Sequence, residues 1–157
     1  MNDLITLRVD GTPRPVARRG AAVRGGRTVT YPRGRGHEWK AHVMVACRQM
    51  NQTGGLSGRL EVGIEYILPR PKDHYHNCGR GERGGELRAS HISLPHISKP
   101  DLDNLNKGTL DGLVHGGLIK DDRFVVQLLS FKRYNHHGEP TGAIITIGDA
   151  SRCRSTS

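Results

Sequence analysis

The segment Leu60–Leu68 alternates apolar and polar side chains along its length. This period of two residues predicts a β-strand with one buried face, and Pro69 ends the strand. A strand needs partners, and apolar alternation or runs recur at Leu4–Val9, Phe124–Tyr134 and Ala143–Ile147. The chain is therefore expected to build a sheet.

Two segments have the three- and four-residue apolar spacing of amphipathic helices. The first lies between His37 and Met50, and the second is Asp101–Val114. At 157 residues, the chain is long enough for one domain with a core but too short for two ordinary ones. We predict a single α+β domain over residues 1–148, with two main helices and a mixed sheet of four to five strands, and a frayed tail at 149–157.

Two stretches are basic and rich in glycine. Residues 11–36 are expected to form a mobile loop that orders on a phosphate backbone, with Thr28–Tyr31 as a short hairpin strand or turn. A merely solvated loop is the alternative. Residues 70–99 form a second basic insertion with little apolar periodicity. The candidate DNA contacts in the first stretch are Arg18, Arg19, Arg24, Arg27, Arg33 and Arg35.

The charge balance favours a polyanionic partner. Lys and Arg number 24 against 15 Asp and Glu, a formal net charge of +9, which points to nucleic acid. No apolar run approaches the ~18 residues of a membrane span, and the first ten residues lack the pattern of a secretory signal. Three widely spaced cysteines, Cys47, Cys78 and Cys153, form no disulfide framework, so we expect a reducing cytoplasm and a packing role for Cys47.

Acidic residues are concentrated in one place within this basic chain. Residues 101–123 contain five aspartates against three basic residues. Such an island suggests carboxylates gathered around a metal cation, with basic surroundings that hold phosphates. The alternative is that these aspartates only cap helices and form turns.

The spacing of these aspartates supports the metal hypothesis. Asp101 and Asp103 lie two residues apart at the start of the predicted helix, and Lys107 is one turn further on. Asp121–Asp122 opens the strand that returns along the helix. If strand and helix pack as a pair, these carboxylates converge into an oxygen site suited to Mg²⁺, with Mn²⁺ as an alternative.

The string K-P-D-x-D-N-L-x-K at 99–107, then D-x-L at 111–113 and D-D at 121–122, resembles the RusA family of Holliday junction resolvases. The specific similarity covers residues 99–126. It implies a small homodimeric, metal-dependent endonuclease of a mainly phage-encoded family. By this resemblance the metal-site carboxylates are Asp101, Asp103 and Asp122, Asp121 is an accessory acid, Lys107 is the essential lysine, and Asp111 is structural or orients a ligand.

The expected function is that of a homodimeric endodeoxyribonuclease that cuts four-way DNA junctions in pairs, in recombination and repair. Two alternatives stay open: a less selective nuclease for branched or flap DNA, and a non-catalytic basic nucleic-acid-binding protein. We expect no nucleotide cofactor, because Gly34-x-Gly36 and Gly79-x-Gly81 do not continue into a phosphate-binding loop.

Four residues of the second basic stretch imitate half of a zinc finger, namely His76, Cys78, His91 and His96. A finger also needs a small apolar core, and Gly79–Ser90 offers one leucine. We therefore favour a solvated basic loop over a zinc site at 70–99.

Overall fold

The regular structure is known for most of the chain. The computed structural model describes residues 4–16, 19–32, 36–50, 54–76 and 85–150. Within these ranges the strands are β1 (Ile5–Asp10), β2 (Arg19–Arg24), β3 (Arg27–Pro32), β4 (Leu60–Leu68), β5 (Val125–Tyr134) and β6 (Gly142–Asp149). The helices are α1 (Gly36–Gln49) and α2 (Leu102–His115), and short 3₁₀ turns lie at Lys72–His74, Ala89–His91 and Asp122–Phe124.

The main sheet is mixed and has four strands in the order β1-β6-β4-β5. β6 runs antiparallel to both of its neighbours, whereas β4 and β5 are parallel. A parallel pair needs a crossover connection, and α2 lies in the segment that supplies it. β1, β4 and β5 therefore point the same way, and we call the side of the sheet on which they end the carboxyl edge.

Both helices contribute to the core on one face of this sheet. The buried face of β4 consists of Leu60, Val62, Ile64 and Tyr66, and it packs with Trp39 and Val43 of α1 and with Leu105 and Leu113 of α2. A Cβ placed on Gly112 would lie 2.7 Å from the Cβ of Val43, so the close approach of the helices requires glycine there. The prediction of an α+β domain with two main helices is confirmed.

Cys47 belongs to this core, as its helical spacing predicted. Burial raises the pKa of its thiol to about 11, which keeps the group protonated at neutral pH. The side chain therefore has a packing role.

The prediction of a mobile loop over 11–36 is wrong for residues 19–32. β2 and β3 pair antiparallel as a hairpin, with Arg24 opposite Arg27. Gly25 and Gly26 form the turn with φ of +57° and +73°, values that a two-residue hairpin turn needs at both central positions. Thr28–Tyr31, considered above as a strand or a turn, lies in β3.

The described part of 70–99 is mostly exposed, as a solvated loop would be, but buried residues anchor it. Arg70, His74 and His96 are buried, and Tyr75 pairs with Leu87 in an isolated β-bridge. The segment therefore lies along the carboxyl edge of the sheet with most of its side chains in solvent. Of the zinc candidates, Cys78 lies outside the described residues.

The backbone also fixes the boundary between the sheet and the tail. β6 continues through Asp149, and the N–H of Ala150 donates to the carbonyl of Arg59, so the sheet extends into the predicted tail. Residues 151–157 lie outside the described residues. In the part of the chain that the structure covers, neither helix is long and apolar enough to cross a membrane.

Candidate active site

Asp101 and Asp103 lie at the start of α2, on the carboxyl edge of the sheet. Asp101 occupies the N-cap position, and its carbonyl accepts the first helical hydrogen bond, from the N–H of Leu105. Its carboxylate makes no capping hydrogen bond, although Asp is a preferred N-cap because it usually makes one. Both carboxylates are exposed. Helix capping therefore does not account for the Asp101 side chain.

Lys107 follows Asp103 by one turn of α2 and is equally exposed. Within the described residues, no ion pair joins Lys107 to Asp103 or Asp111. Asp103 has one weak contact, from the Asn104 amide at 3.4 Å. This side of α2 thus presents a carboxylate and an ammonium group to solvent, open to a phosphate and its counterion.

Lys132 fixes the segment that leads into α2. Its Nζ atom donates to the carbonyl of Ser98 at 2.6 Å and to that of Pro100 at 2.8 Å. Because Lys132 is near the end of β5, this pair of bonds holds the start of α2 at the carboxyl edge. Sequence reasoning missed this residue, since a lysine in a strand gives no sign of a distant backbone partner.

A buried polar network sets the rotation of α2. The Tyr66 hydroxyl lies 3.0 Å from the Asn106 amide oxygen and 2.9 Å from the Thr109 hydroxyl. Trp39 also donates to Thr109, and Asn106 donates to Ser130 on β5. Burial raises the pKa of Tyr66, so its hydroxyl stays protonated. The polar side chains on the inner side of α2 are thereby occupied, which leaves Asp103 and Lys107 facing outward.

Asp121 and Asp122 are found elsewhere, immediately before β5. The Asp121 carboxylate accepts from the backbone N–H of Arg123 at 2.9 Å and caps the 3₁₀ turn. Capping therefore does account for one oxygen of Asp121. Asp122 is exposed, and its side chain has no hydrogen bond among the described residues.

The two aspartate pairs lie near opposite ends of β5. A ten-residue strand is about 30 Å long, and Lys132 at its far end contacts Pro100, so α2 runs antiparallel to β5. Among the described residues, no three His, Cys, Asp or Glu side chains are placed to hold a metal ion. Within one chain, the structure therefore does not bring Asp121–Asp122 to the start of α2, as the sequence led us to expect.

The outer edge of β5 carries an apolar surface. β5 is an edge strand, and four of its large apolar side chains are exposed, namely Val126, Leu128, Leu129 and Phe131. Leu128 lies on the face of the sheet that the helices cover, and Leu129 and Phe131 lie on the opposite face. We call these four residues the β5 patch. Edge strands have unpaired backbone groups, and apolar side chains beside them are typical of a surface that pairs with another chain.

The candidate DNA contacts divide between described and undescribed positions. Arg24 and Arg27 are exposed at the tip of the β2–β3 hairpin, on the same face because they are register partners. Arg19 lies in β2. Arg18, Arg33 and Arg35 lie outside the described residues.

Comparison with known proteins bears on this arrangement. The family model for the endodeoxyribonuclease RusA matches residues 10–147. That range includes both helices, the hairpin and all the aspartates discussed above. The uncharacterized protein YqaN of Bacillus subtilis (strain 168) is 27% identical over 135 residues, which cover 85% of this chain and 89% of the relative.

Proposed function

The chain belongs to the RusA family of endodeoxyribonucleases, and on that basis we propose that it resolves four-way DNA junctions by paired, metal-dependent cuts. The cuts serve recombination and repair in the cytoplasm. The observation that carries this proposal is the exposed Asp101–Asp103 pair with Lys107, on a helix whose inner polar groups are already bonded. Because the Asp101 and Asp103 carboxylates have no capping or ion-pair role among the described residues, they are available to bind a metal ion.

The donor chemistry of the site fits a hard divalent cation. We assign Asp101, Asp103 and Asp122 as the metal ligands, with Asp121 as an accessory acid because one of its oxygens already accepts a hydrogen bond. All are oxygen donors, which suit Mg²⁺ and also Mn²⁺. A cation bound there supplies an activated water and neutralises the attacked phosphate. Lys107 stabilises the charge that develops as the phosphodiester opens.

A second copy of the chain completes the site. Antiparallel pairing of two β5 edges about a two-fold axis satisfies the unpaired backbone groups and sets the two β5 patches side by side. It also brings the start of one β5 to the end of the other, so that Asp122 of the partner subunit approaches Asp103. This arrangement accounts for the separation of the aspartate pairs within one chain. A two-fold dimer also offers two symmetric sites, which paired cuts on a junction require.

The hairpin and its flanks supply much of the DNA contact. We propose that its arginines bind phosphates, namely Arg18, Arg19, Arg24, Arg27, Arg33 and Arg35. A two-stranded ribbon is narrow enough to enter the major groove, and its exposed Arg24–Arg27 tip carries two positive charges.

Incubation with labelled four-way, flap and linear DNA tests this function. With Mg²⁺ we expect symmetric cuts in the junction, little cutting of linear DNA, and no product when EDTA is present. Equal cutting of flaps and junctions would favour the less selective nuclease. Tight junction binding without cleavage in either Mg²⁺ or Mn²⁺ would favour the non-catalytic binding protein and contradict the proposal.

A further inference from the structure

A cavity of about 380 Å³ opens at the carboxyl edge of the sheet, next to the start of α2. Its walls come from the chain after β1, the chain after β4, the end of β5 and the segment 96–100. The lining is rich in prolines, namely Pro13, Pro15, Pro69, Pro71 and Pro100, and it also includes the rings of His96 and Tyr134. We call this cavity the proline pocket.

The inner wall of the proline pocket is held rigidly. The guanidinium of the buried Arg70 donates to the carbonyls of His91, Ile92 and Asn135 at 2.6, 3.0 and 2.8 Å. It also lies 5.2 Å from the centre of the Tyr134 ring. These bonds tie the segment after residue 90 to the ends of β4 and β5, so the pocket is formed before any ligand binds.

Two histidine rings also pack against Tyr134 and hold it in place. His96 packs on it with ring centroids 4.5 Å apart, and His74 meets it edge-on at 5.0 Å. Burial lowers the pKa of both histidines, so they are neutral at pH 7 and add no charge to the pocket. Tyr134 is itself only 7% exposed, so the prolines supply most of the apolar surface that a ligand would contact.

The rim of the proline pocket is cationic and continuous with the proposed active site. Arg14 and Lys99 line the cavity and are exposed, and Lys99–Pro100 leads directly into Asp101. A ligand that matches this lining would combine an apolar body with a negative charge. Ligands also bind preferentially beyond the carboxyl ends of parallel strands, where β4 and β5 place this pocket.

We propose that the proline pocket receives one unstacked nucleobase of the strand that is cut, while Arg14 and Lys99 hold the phosphates on either side of it. This inference rests on the proposed function, because Asp101 is what relates the pocket to a scissile phosphate. Its volume lies within the usual range for ligand sites. Seating a base there draws the adjacent phosphate toward the start of α2 and makes the pocket a determinant of which position in a junction is cut.

The proposal can be tested by combining two changes: a substitution that fills the pocket, and a DNA junction from which one base has been removed. Ser98→Trp places an indole at the pocket wall from an exposed position. The control is Val45→Trp, at an exposed position on α1, which packs on β1 at the edge of the sheet opposite β5. Each protein is given four-way junctions with a single abasic site at successive positions around the cut. Cleavage rates in Mg²⁺ and dissociation constants in EDTA are measured for every pair.

We expect Ser98→Trp to lower kcat/KM on the intact junction by about tenfold or more, the usual range for loss of one base contact, and Val45→Trp to leave kcat/KM unchanged. When the abasic site stands at one particular position, kcat/KM of the wild type should fall to the value of Ser98→Trp. The same abasic site should not lower kcat/KM of Ser98→Trp any further. The proposal would be overturned if, at every abasic position, the reductions in kcat/KM from the substitution and from the missing base multiplied as independent effects do. It would also be overturned if Ser98→Trp cut the intact junction as fast as the control.

The result is separable from the proposed function. If the wild type cuts no DNA in Mg²⁺ or Mn²⁺, the nuclease assignment fails. The dissociation constants of the same protein and junction pairs then decide whether the pocket binds a base. If the wild type cuts junctions and Ser98→Trp does so equally well, the pocket proposal alone fails.

Discussion

Asp103 has a charge that the fold does not use. Asp103→Asn keeps the size of the side chain but removes a metal ligand, so we expect junction cleavage to fall by about 100-fold or more. Junction affinity in EDTA should persist or rise slightly, because a negative charge near the phosphates is lost. Single-turnover cleavage and gel-shift titrations measure the two effects.

The matched control for Asp103 is Asp111→Asn, the same substitution two turns further along α2. Asp111 is half-buried, and we give it a structural or orienting role, so its loss should cost cleavage far less. Wild-type cleavage by Asp103→Asn would contradict the ligand assignment.

Lys107 is expected to act on the transition state more than on the bound junction. Lys107→Ala removes one phosphate contact among many, so affinity should change little while the cleavage rate drops by about 100-fold. Lys107→Arg should restore part of the rate, since the charge is kept but differently placed. Parallel losses of affinity and rate would reduce Lys107 to an ordinary backbone contact.

At the scale of elements, the sequence predicted every strand or helix that buries an apolar face. Leu60–Leu68 is strand β4 with the predicted bounds, and both helices begin and end within one residue of prediction. Apolar periodicity reports burial, so it finds such elements reliably. Of the β2–β3 hairpin, the sequence indicated only Thr28–Tyr31, as a strand or a turn, because Val23 and Val29 are exposed and glycine and arginine obscure the alternation.

In the candidate site too, the features set by local sequence were predicted, and those set by tertiary contacts were not. The spacing of Asp101, Asp103 and Lys107 follows from local helix geometry, which a sequence contains. The placement of Asp121–Asp122 depends on the direction in which α2 crosses β5, and the roles of Arg70 and Lys132 depend on carbonyls far along the chain. Tertiary contacts of this kind leave no periodic signal.

The hairpin should contribute to affinity through charge. Neutralising Arg24 and Arg27 to Gln should flatten the slope of log K against log salt by about two units, since each phosphate contact contributes about 0.9 on duplex DNA. The control, Arg48→Gln with Arg59→Gln, removes two exposed charges from elsewhere and should leave the slope nearly unchanged. An unchanged slope in the hairpin variant would show that the tip does not contact phosphates.

The turn after β5 is braced by an ion pair that acid should disrupt. Both Glu139 oxygens accept from the Arg133 guanidinium at 2.7 Å, and the N–H of His136 adds a further bond. These contacts, chiefly those with Arg133, hold the pKa of Glu139 at about 2, below its ordinary value of 4.5. A carboxylate with a lowered folded pKa stabilises the protein above pH 4.5, and this contribution is lost as the pH falls toward 2.

Urea unfolding of the wild type and Glu139→Gln should therefore differ by about 2 kcal/mol at pH 7. The difference should narrow steadily between pH 4.5 and pH 2. A difference that does not change across this interval would show that the Glu139 carboxylate is not held ionised by Arg133.

At the scale of the whole molecule, the β5 patch is expected to hold two copies together. Leu129→Asp places a charge on a side chain that is 65% exposed in the single chain, so the fold should survive while the dimer dissociates. Sedimentation should show a monomer with an unchanged circular dichroism spectrum, and junction cleavage should be lost. Val45→Asp, at an exposed apolar position on α1, is the control that should remain dimeric and active.

The sharing of one active site between two chains can be tested by mixing inactive proteins. Asp103→Asn and Asp122→Asn are each expected to be inactive as homodimers. In a mixed dimer with shared sites, one site combines both substitutions and the other combines two intact aspartates. After subunit exchange at equal concentrations, about a quarter of all sites should therefore be active.

The most direct measurement is nicking of a labelled four-way junction by this mixture in Mg²⁺, with exchange verified by differently tagged subunits. We predict that the mixture regains nicking that neither variant shows alone. A fully exchanged mixture as inactive as its two components would contradict this prediction, because each site would then take Asp103 and Asp122 from the same chain.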